Sequence, residues 1–380
     1  MKRRGSKPPI TVIVSAACVT IVLLLVVDVA VTTLYYPFAH TMDTSTLHKK
    51  NNDAPLTHET PLPWAVRFIP QSTVHTWEKR DFLIAFGIPS IDISERRTRR
   101  NLQRSSCWQF QGVATKANNF TGAMVVLYVL ARHPSNNYTY SAALLEEAEQ
   151  WHDMVALPMN DGLPSEKKKI GDDGKWGLKA EIGMSRKTFL WFELALRLFP
   201  RARYVAKGDD DMFLRVPQYL ADLRSLPRRG LYWGTVERYY KPVIFSYAYG
   251  SCYTLARDVA AQLVSFEPLQ RLVCLPYNEE HDEEFMSLMM HAEDAMVGLS
   301  LFMSGYNSSL TFATEDRCSF HDVHEGAVVE PVRSSSVMIH HVNENDYKKL
   351  MKRFKYDSGA SPRNWTRRNS HEINFHCWND

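Results

Sequence analysis

Neither sign of charge dominates this 380-residue chain: 45 Lys+Arg stand against 42 Asp+Glu, a formal net charge of +3. That balance excludes a chain kept unfolded by self-repulsion and a polyanion binder acting through bulk charge. Glycine (17) and proline (19) are too sparse for a collagen-like or low-complexity architecture. No internal repeat of about 20–50 residues is present, which excludes a solenoid or propeller. What the chain does have is 45% hydrophobic and 12% aromatic residues, enough apolar area for a full core, and the length of one large or two modest domains.

The apolar residues are unevenly spread. Residues 10–27 carry no charge, and Lys2, Arg3, Arg4 and Lys7 precede them. The run continues past Asp28 to Tyr36, long enough for the roughly 20 residues that a bilayer core requires. The expectation is a cytoplasmic tail at 1–9 and a membrane-spanning anchor at 10–36, with the basic flank kept inside and the rest sent across, a type II topology. A cleaved signal peptide, cut near Ala30, is the alternative; the length of the run argues against it. With Cys18 in the span, Cys107, Cys252, Cys274, Cys318 and Cys377 permit two disulfides and one free thiol, with no pairing readable. Four Asn-X-Ser/Thr sequons, at Asn119, Asn137, Asn307 and Asn364, agree with a lumenal location.

Beyond the span, 37–78 is rich in Thr, His and Pro with little apolar periodicity and reads as a stem. A globular domain is expected over 79–350. It opens with continuous apolar runs at 82–86 and 123–130, the pattern of strands buried on both faces, with a basic amphipathic helix over 95–104 between them. Helices follow over 141–152 and 185–199, and a short strand over 202–206 runs directly into Asp209, Asp210 and Asp211. Strand–helix–strand alternation predicts an α/β fold with a mostly parallel central sheet. From 348 to 368 there are eight Lys/Arg against Asp357 alone, so 351–380 reads as a solvated basic extension with no nucleic-acid role.

Three adjacent carboxylates after a buried strand repel one another unless a cation neutralises them. Ligands of open α/β sheets collect at the carboxyl ends of strands, where this triplet falls. Oxygen donors favour Mg²⁺ or Mn²⁺; a calcium loop fails because Phe213 and Leu214 occupy positions that need ligands and glycine. A solvated acidic turn is the bland alternative. A second acidic pair, Glu293-Asp294, opens an apolar helix, where it could serve the helix dipole or act as a base. Gly250 sits among aromatics in Tyr247-Ala-Tyr-Gly-Ser-Cys-Tyr253, suited to close approach of a sugar ring or to a bulged strand. Cys318, His321 and His324 lack the spacing of a closed zinc site.

Lys207-Gly-Asp-Asp-Asp-Met-Phe213, Gly250-Ser-Cys-Tyr-Thr-Leu255 and Glu293-Asp-Ala-Met-Val-Gly298 lie in the order and spacing of the β1,3-glycosyltransferase superfamily. With Gly87-Ile-Pro-Ser-Ile-Asp92 and Arg99-Arg-Asn-Leu-Gln-Arg-Ser-Ser-Cys-Trp108, the chain most resembles the branch found in kinetoplastid parasites, over roughly 80 to 350. The resemblance implies a nucleotide-sugar-binding fold of the GT-A type behind a Golgi membrane anchor. It implies inverting, Mn²⁺- or Mg²⁺-dependent transfer of GlcNAc or Gal from UDP-GlcNAc or UDP-Gal to a glycan acceptor on a glycoprotein or glycolipid. By position, Asp211 would ligate the metal, Asp209 or Asp210 would meet the ribose and the metal's water shell, and Asp294 would be the catalytic base. Val337-Met-Ile-His-His341 resembles the strand whose histidine completes the metal site, with His341 preferred to His340. Arg100 and Arg104 match a basic segment near the nucleotide, Gly250 its close backbone approach, and Lys187 a lysine ahead of a crossover helix. The segment 322–336 looks like an insertion.

A lumenal glycan-binding or chaperone-like homologue that has lost catalysis is the rival from another class, and a metal-dependent phosphate-ester hydrolase is a third. Retention of Asp209, Asp210, Asp211, Asp294 and His341 together speaks against the first. The hydrolase would be expected to cluster more His and Asp at the metal. Neither the donor sugar nor the linkage is set by the fold.

Overall fold

The computed structural model describes residues 62–166, 175–241, 243–357 and 360–377. The expected tail and membrane anchor, and the stem up to residue 61, lie outside the described residues. Among those described, no helix is long and apolar enough to cross a membrane.

The architecture is mixed α/β. The strands are β1 Ile84–Pro89, β2 Val113–Ala114, β3 Met124–Arg132, β4 Met154–Asn160, β5 Tyr204–Gly208, β6 Phe213–Leu214, β7 Leu231–Tyr239, β8 Phe245–Ala256, β9 Thr311–Thr314, β10 Phe320–Asp322, β11 Met338–His340, β12 Trp365–Asn369 and β13 Glu372–Phe375. Ten form one sheet in the order β12-β13-β9-β7-β8-β5-β1-β3-β2, with β4 also paired to β3. Pairing is parallel around β1, which lies between β3 and β5, and turns antiparallel at β5–β8 and β7–β8. Every residue of β1 is buried, as the unbroken apolar run requires of a strand covered on both faces. Helix Leu178–Leu198 covers one face and begins seven residues before the sequence expectation. Its Trp191 lies across β1 so closely that a Cβ on Gly87 would fall 2.1 Å from the indole, while the indole N–H donates to Ala206 O at 2.9 Å. Only glycine allows that approach.

A separate three-stranded sheet, β10-β11-β6, stands beside the carboxyl end of β5. β6 follows the aspartate triplet after one residue and pairs antiparallel with β11, Phe213 opposite Ile339. β10 runs parallel to β11, Asp322 opposite His340. This small sheet carries residues more than 100 positions later in the chain back to the triplet.

Two expected boundaries are corrected. Residues 62–78 are not stem: helices Leu62–Ala65 and Gln71–Glu78 bury Ala65, Val74 and Trp77 in the main core, where the Trp77 ring packs edge-on to Phe120 at 5.5 Å. The segment from 351 is not a solvated extension either. It supplies β12 and β13, and the buried Arg363 donates to Asp222 at 2.8 Å and to Glu315 at 2.6 Å. A disulfide joins Cys318 to Cys377, while Cys107, Cys252 and Cys274 are free, so one bridge replaces the two that the sequence permitted. All four sequon asparagines are exposed.

Candidate metal and catalytic site

The parallel strands point their carboxyl ends at one edge of the sheet, and the acidic triplet is the continuation of β5. Asp209 is partly exposed; Asp210 and Asp211 are buried. Each has a different partner. Asp209 accepts from Lys207 Nζ at 2.8 Å and lies 3.5 Å from His340 Nε2. Burial would raise its carboxyl, but Lys207 and then His340 outweigh that and bring it down to about 2. Asp210 is bound by Arg96 and by the Ser90 hydroxyl at 3.0 Å. Burial, reinforced by Asp211, pushes it above the usual range against the pull of Arg96. Asp211 Oδ1 lies 3.1 Å from His340 Nε2, and despite burial the histidine holds it well below the usual carboxylate range.

His340 is the last residue of β11, which β6 holds in register beside the triplet. It is raised well above an ordinary histidine: burial opposes the proton, but Asp211, Asp209 and Asp322 prevail. Three carboxylates, Asp209, Asp211 and Asp322, thus converge on one imidazole. His341 turns out of the strand with φ +55°, and its Nδ1 lies 3.1 Å from Asp322 Oδ1. The geometry places His340 nearer Asp209 and Asp211 than the expected His341, which lies against Asp322. Asp211, His340 and His341 each present a ligand atom within 4.8 Å of one another. Carboxylate oxygens with one imidazole suit a divalent ion such as Mn²⁺, so the donors present fit the expected metal.

The second acidic pair opens helix Glu293–Met303. Glu293 is buried, accepting from Tyr253 OH and lying 3.0 Å from Lys207 Nζ. Half-buried Asp294 accepts from Gly250 N at 3.2 Å and from Ala295 N at 2.8 Å. Burial raises both carboxyls, with Lys207 opposing. Gly250 is needed here, because a Cβ would meet Glu293 Oε2 at 3.1 Å and Lys207 Nζ at 3.3 Å. Lys207 bonds Asp209, Glu293 and the Gly250 carbonyl together, and so ties the triplet to the pair.

The remaining expected residues lie one layer behind. Arg100 donates to Glu147 at 2.6 and 2.8 Å and to Ser90 Oγ at 3.0 Å. Arg104 binds Glu147 and, at 2.8 Å, both oxygens of Asp153. Lys187, within its helix rather than ahead of it, pairs with Asp161 at 2.8 Å and donates to Ser90 O at 2.8 Å. Arg100 and Lys187 therefore reach the triplet through Ser90, at the end of β1, and Arg104 belongs to a structural ion network. Sequence reasoning missed Arg96, Lys207 and Asp322. Arg96 was findable, being four residues before Arg100 on the same face of helix Ser94–Arg104. His321 is hydrogen-bonded to Ser336 at 2.7 Å and His324 to Asp346 at 2.6 Å, so neither joins a zinc site with the disulfide-bonded Cys318.

Comparison of the chain with family models and with curated proteins finds no match in either.

Proposed function

We propose that the protein is a metal-dependent inverting glycosyltransferase that moves GlcNAc or Gal from a UDP-sugar to a glycan acceptor hydroxyl, forming a β-linkage. Its setting would be the Golgi membrane, with a single type II anchor and the catalytic domain lumenal. The observation that carries this reading is one edge of the sheet on which Asp209, Asp211 and His340 are joined through Lys207 to Glu293 and, through Gly250, to Asp294. Asp211 and His340 would hold the cation, with Asp209 beside them; when bound, the cation supplies positive charge against a departing diphosphate.

The chain's own residues account for the rest. Lys207 fixes the spacing of the two acidic centres and neutralises part of their repulsion. Asp294, with backbone N–H groups on both oxygens and its carboxyl raised by burial, is suited to take the proton from an acceptor hydroxyl. Glu293, locked by Tyr253 and Lys207, is a poorer candidate for that role. Single displacement needs no covalent intermediate, so no nucleophilic side chain is required opposite the base.

The test is incubation of the full-length chain with a panel of UDP-sugars, defined oligosaccharides and Mn²⁺, with and without chelator. Chelator-sensitive transfer with inversion is expected. UDP-sugar binding without transfer would favour the inactive homologue, and release of free sugar or phosphate without an acceptor product would favour the hydrolase.

A further inference from the structure

We infer that Asp322 is a positioning residue that orients His340 as the imidazole ligand of the proposed metal, and that the segment following it, read in the sequence as an insertion, is built to hold that carboxylate. The inference rests on the metal-dependent reading above and deepens it.

Asp322 ends β10 directly opposite His340 in the small sheet. Its Oδ1 lies 2.7 Å from His340 Nδ1 and 3.1 Å from His341 Nδ1. Its Oδ2 accepts from Val328 N at 3.0 Å. The backbone between closes over the carboxylate at Gly326, whose φ is +127° and where a Cβ would lie 2.3–2.9 Å from the Asp322 carboxyl atoms. Both the dihedral and the contact exclude a side chain there. Two donors, the nearby His341 ring and a glycine-dependent loop thus surround a single carboxylate.

The chemical consequence falls on His340. By accepting Nδ1–H, Asp322 selects the tautomer that leaves the lone pair on Nε2, and Nε2 is the atom 3.1 Å from Asp211 Oδ1 and 3.5 Å from Asp209 Oδ2. A carboxylate behind a metal-ligating imidazole fixes ring orientation and raises ligand basicity. The same contact separates the roles of two adjacent histidines. His341, turned out of the strand and bonded to the Glu325 carbonyl, becomes a second clamp on Asp322.

The test measures Mn²⁺ binding to the full-length chain by loss of the free-ion electron paramagnetic resonance signal, without donor or acceptor, together with melting temperature in chelator. Asp322→Asn is expected to raise the Mn²⁺ dissociation constant by about 10–100-fold. His340→Ala should weaken binding at least as much, and His341→Ala less. Gly326→Ala, which removes no polar group, should weaken binding in the same direction and serves if Asp322→Asn fails to fold. Wild-type Mn²⁺ affinity in Asp322→Asn, with only the melting temperature lowered, would make Asp322 a packing residue and overturn the inference alone. No Mn²⁺ binding by the wild-type chain would overturn the metal-dependent reading and this inference with it.

Discussion

Two buried ionic networks lie within one helix length of each other and differ in how their charges balance. On the inner face of helix Ser94–Arg104, Arg100 and Arg104 meet Glu147 and Asp153, two buried cations against two carboxylates, with the partly exposed Arg97 3.8 Å from Glu147. At the edge of the sheet, Asp209, Asp210, Asp211, Glu293, Asp294 and Asp322 are faced, among the described residues, by the cations Arg96, Arg99 and Lys207 and by the imidazoles of His340 and His341. A matched network satisfies itself, so its value is structural and removing one partner strands the other and costs stability. A network with surplus negative charge is stable only with a proton or a metal, and its substitution should cost activity instead. The difference explains why Arg100 and Arg104, expected near the nucleotide, are found holding the fold.

The largest expected effect tests the matched network. Glu147→Ala leaves Arg100, 1% exposed, without a carboxylate, and should destabilise the protein by about 3–5 kcal/mol. Denaturant midpoints would measure it, and a loss under about 1 kcal/mol would break the comparison. Next is Asp211→Ala in the unmatched network. Turnover should fall by about 10²–10³-fold, as when one electrostatic stabiliser is removed, while the lost contact with His340 is partly offset by relief of repulsion with Asp209 and Asp210, so the melting temperature should fall less than in Glu147→Ala. A variant that turns over normally in Mn²⁺ would remove the metal from the mechanism. Third, Asp294→Asn keeps shape and hydrogen bonding but cannot accept a proton, so turnover should fall by about 10²-fold or more with donor affinity nearly unchanged. If Asp294 served only the helix dipole, the variant would instead lose about 0.3–1 kcal/mol of stability and keep its turnover.

The smallest effect is in pH, and its sign should reverse between Glu147 of the matched network and Glu293 of the unmatched one. Burial opposes ionisation of Glu147, but Arg100 and Arg104 outweigh it and hold its carboxyl below its ordinary value of 4.5. Its stabilisation is present above about pH 4.5 and lost as pH falls through the folded value. Burial raises Glu293 despite Lys207. Its folded carboxyl therefore costs stability as pH rises from 4.5 through the raised value. Glu147→Gln should flatten the acid limb of the stability curve, and Glu293→Gln should remove a loss on the other side. Equal slopes for both variants in chemical denaturation from pH 3 to 7 would contradict the assigned environments.

The strands and both acidic motifs were legible because apolar runs and adjacent carboxylates are local signals. The boundaries were not. Helix Gln71–Glu78 contributes mainly Val74 and Trp77 to the core, too few apolar residues to stand out among Thr, His and Pro. In the C-terminal segment the Lys/Arg excess conceals Arg363, whose partners Asp222 and Glu315 lie 141 and 48 positions away. Which of His340 and His341 meets the triplet depends on the pairing of Ile339 with Phe213, since a one-residue slip reverses the face. Such long-range register is invisible in composition or periodicity. Asp322 was hidden for the same reason.

The Cys318–Cys377 bridge has a consequence for the order in which the molecule is made. The 59-residue span it closes contains Asp322, His340 and His341. A ribosome delivering the chain finishes the aspartate triplet long before these partners, and Cys377 follows them all. The acidic edge therefore waits, after Arg96 and Lys207 are in place, for side chains made more than 100 residues later. The bridge ties the segment leading into the strand that ends at Asp322 to the end of the C-terminal strands, so the residues that complete the acidic edge lie within one covalently closed loop.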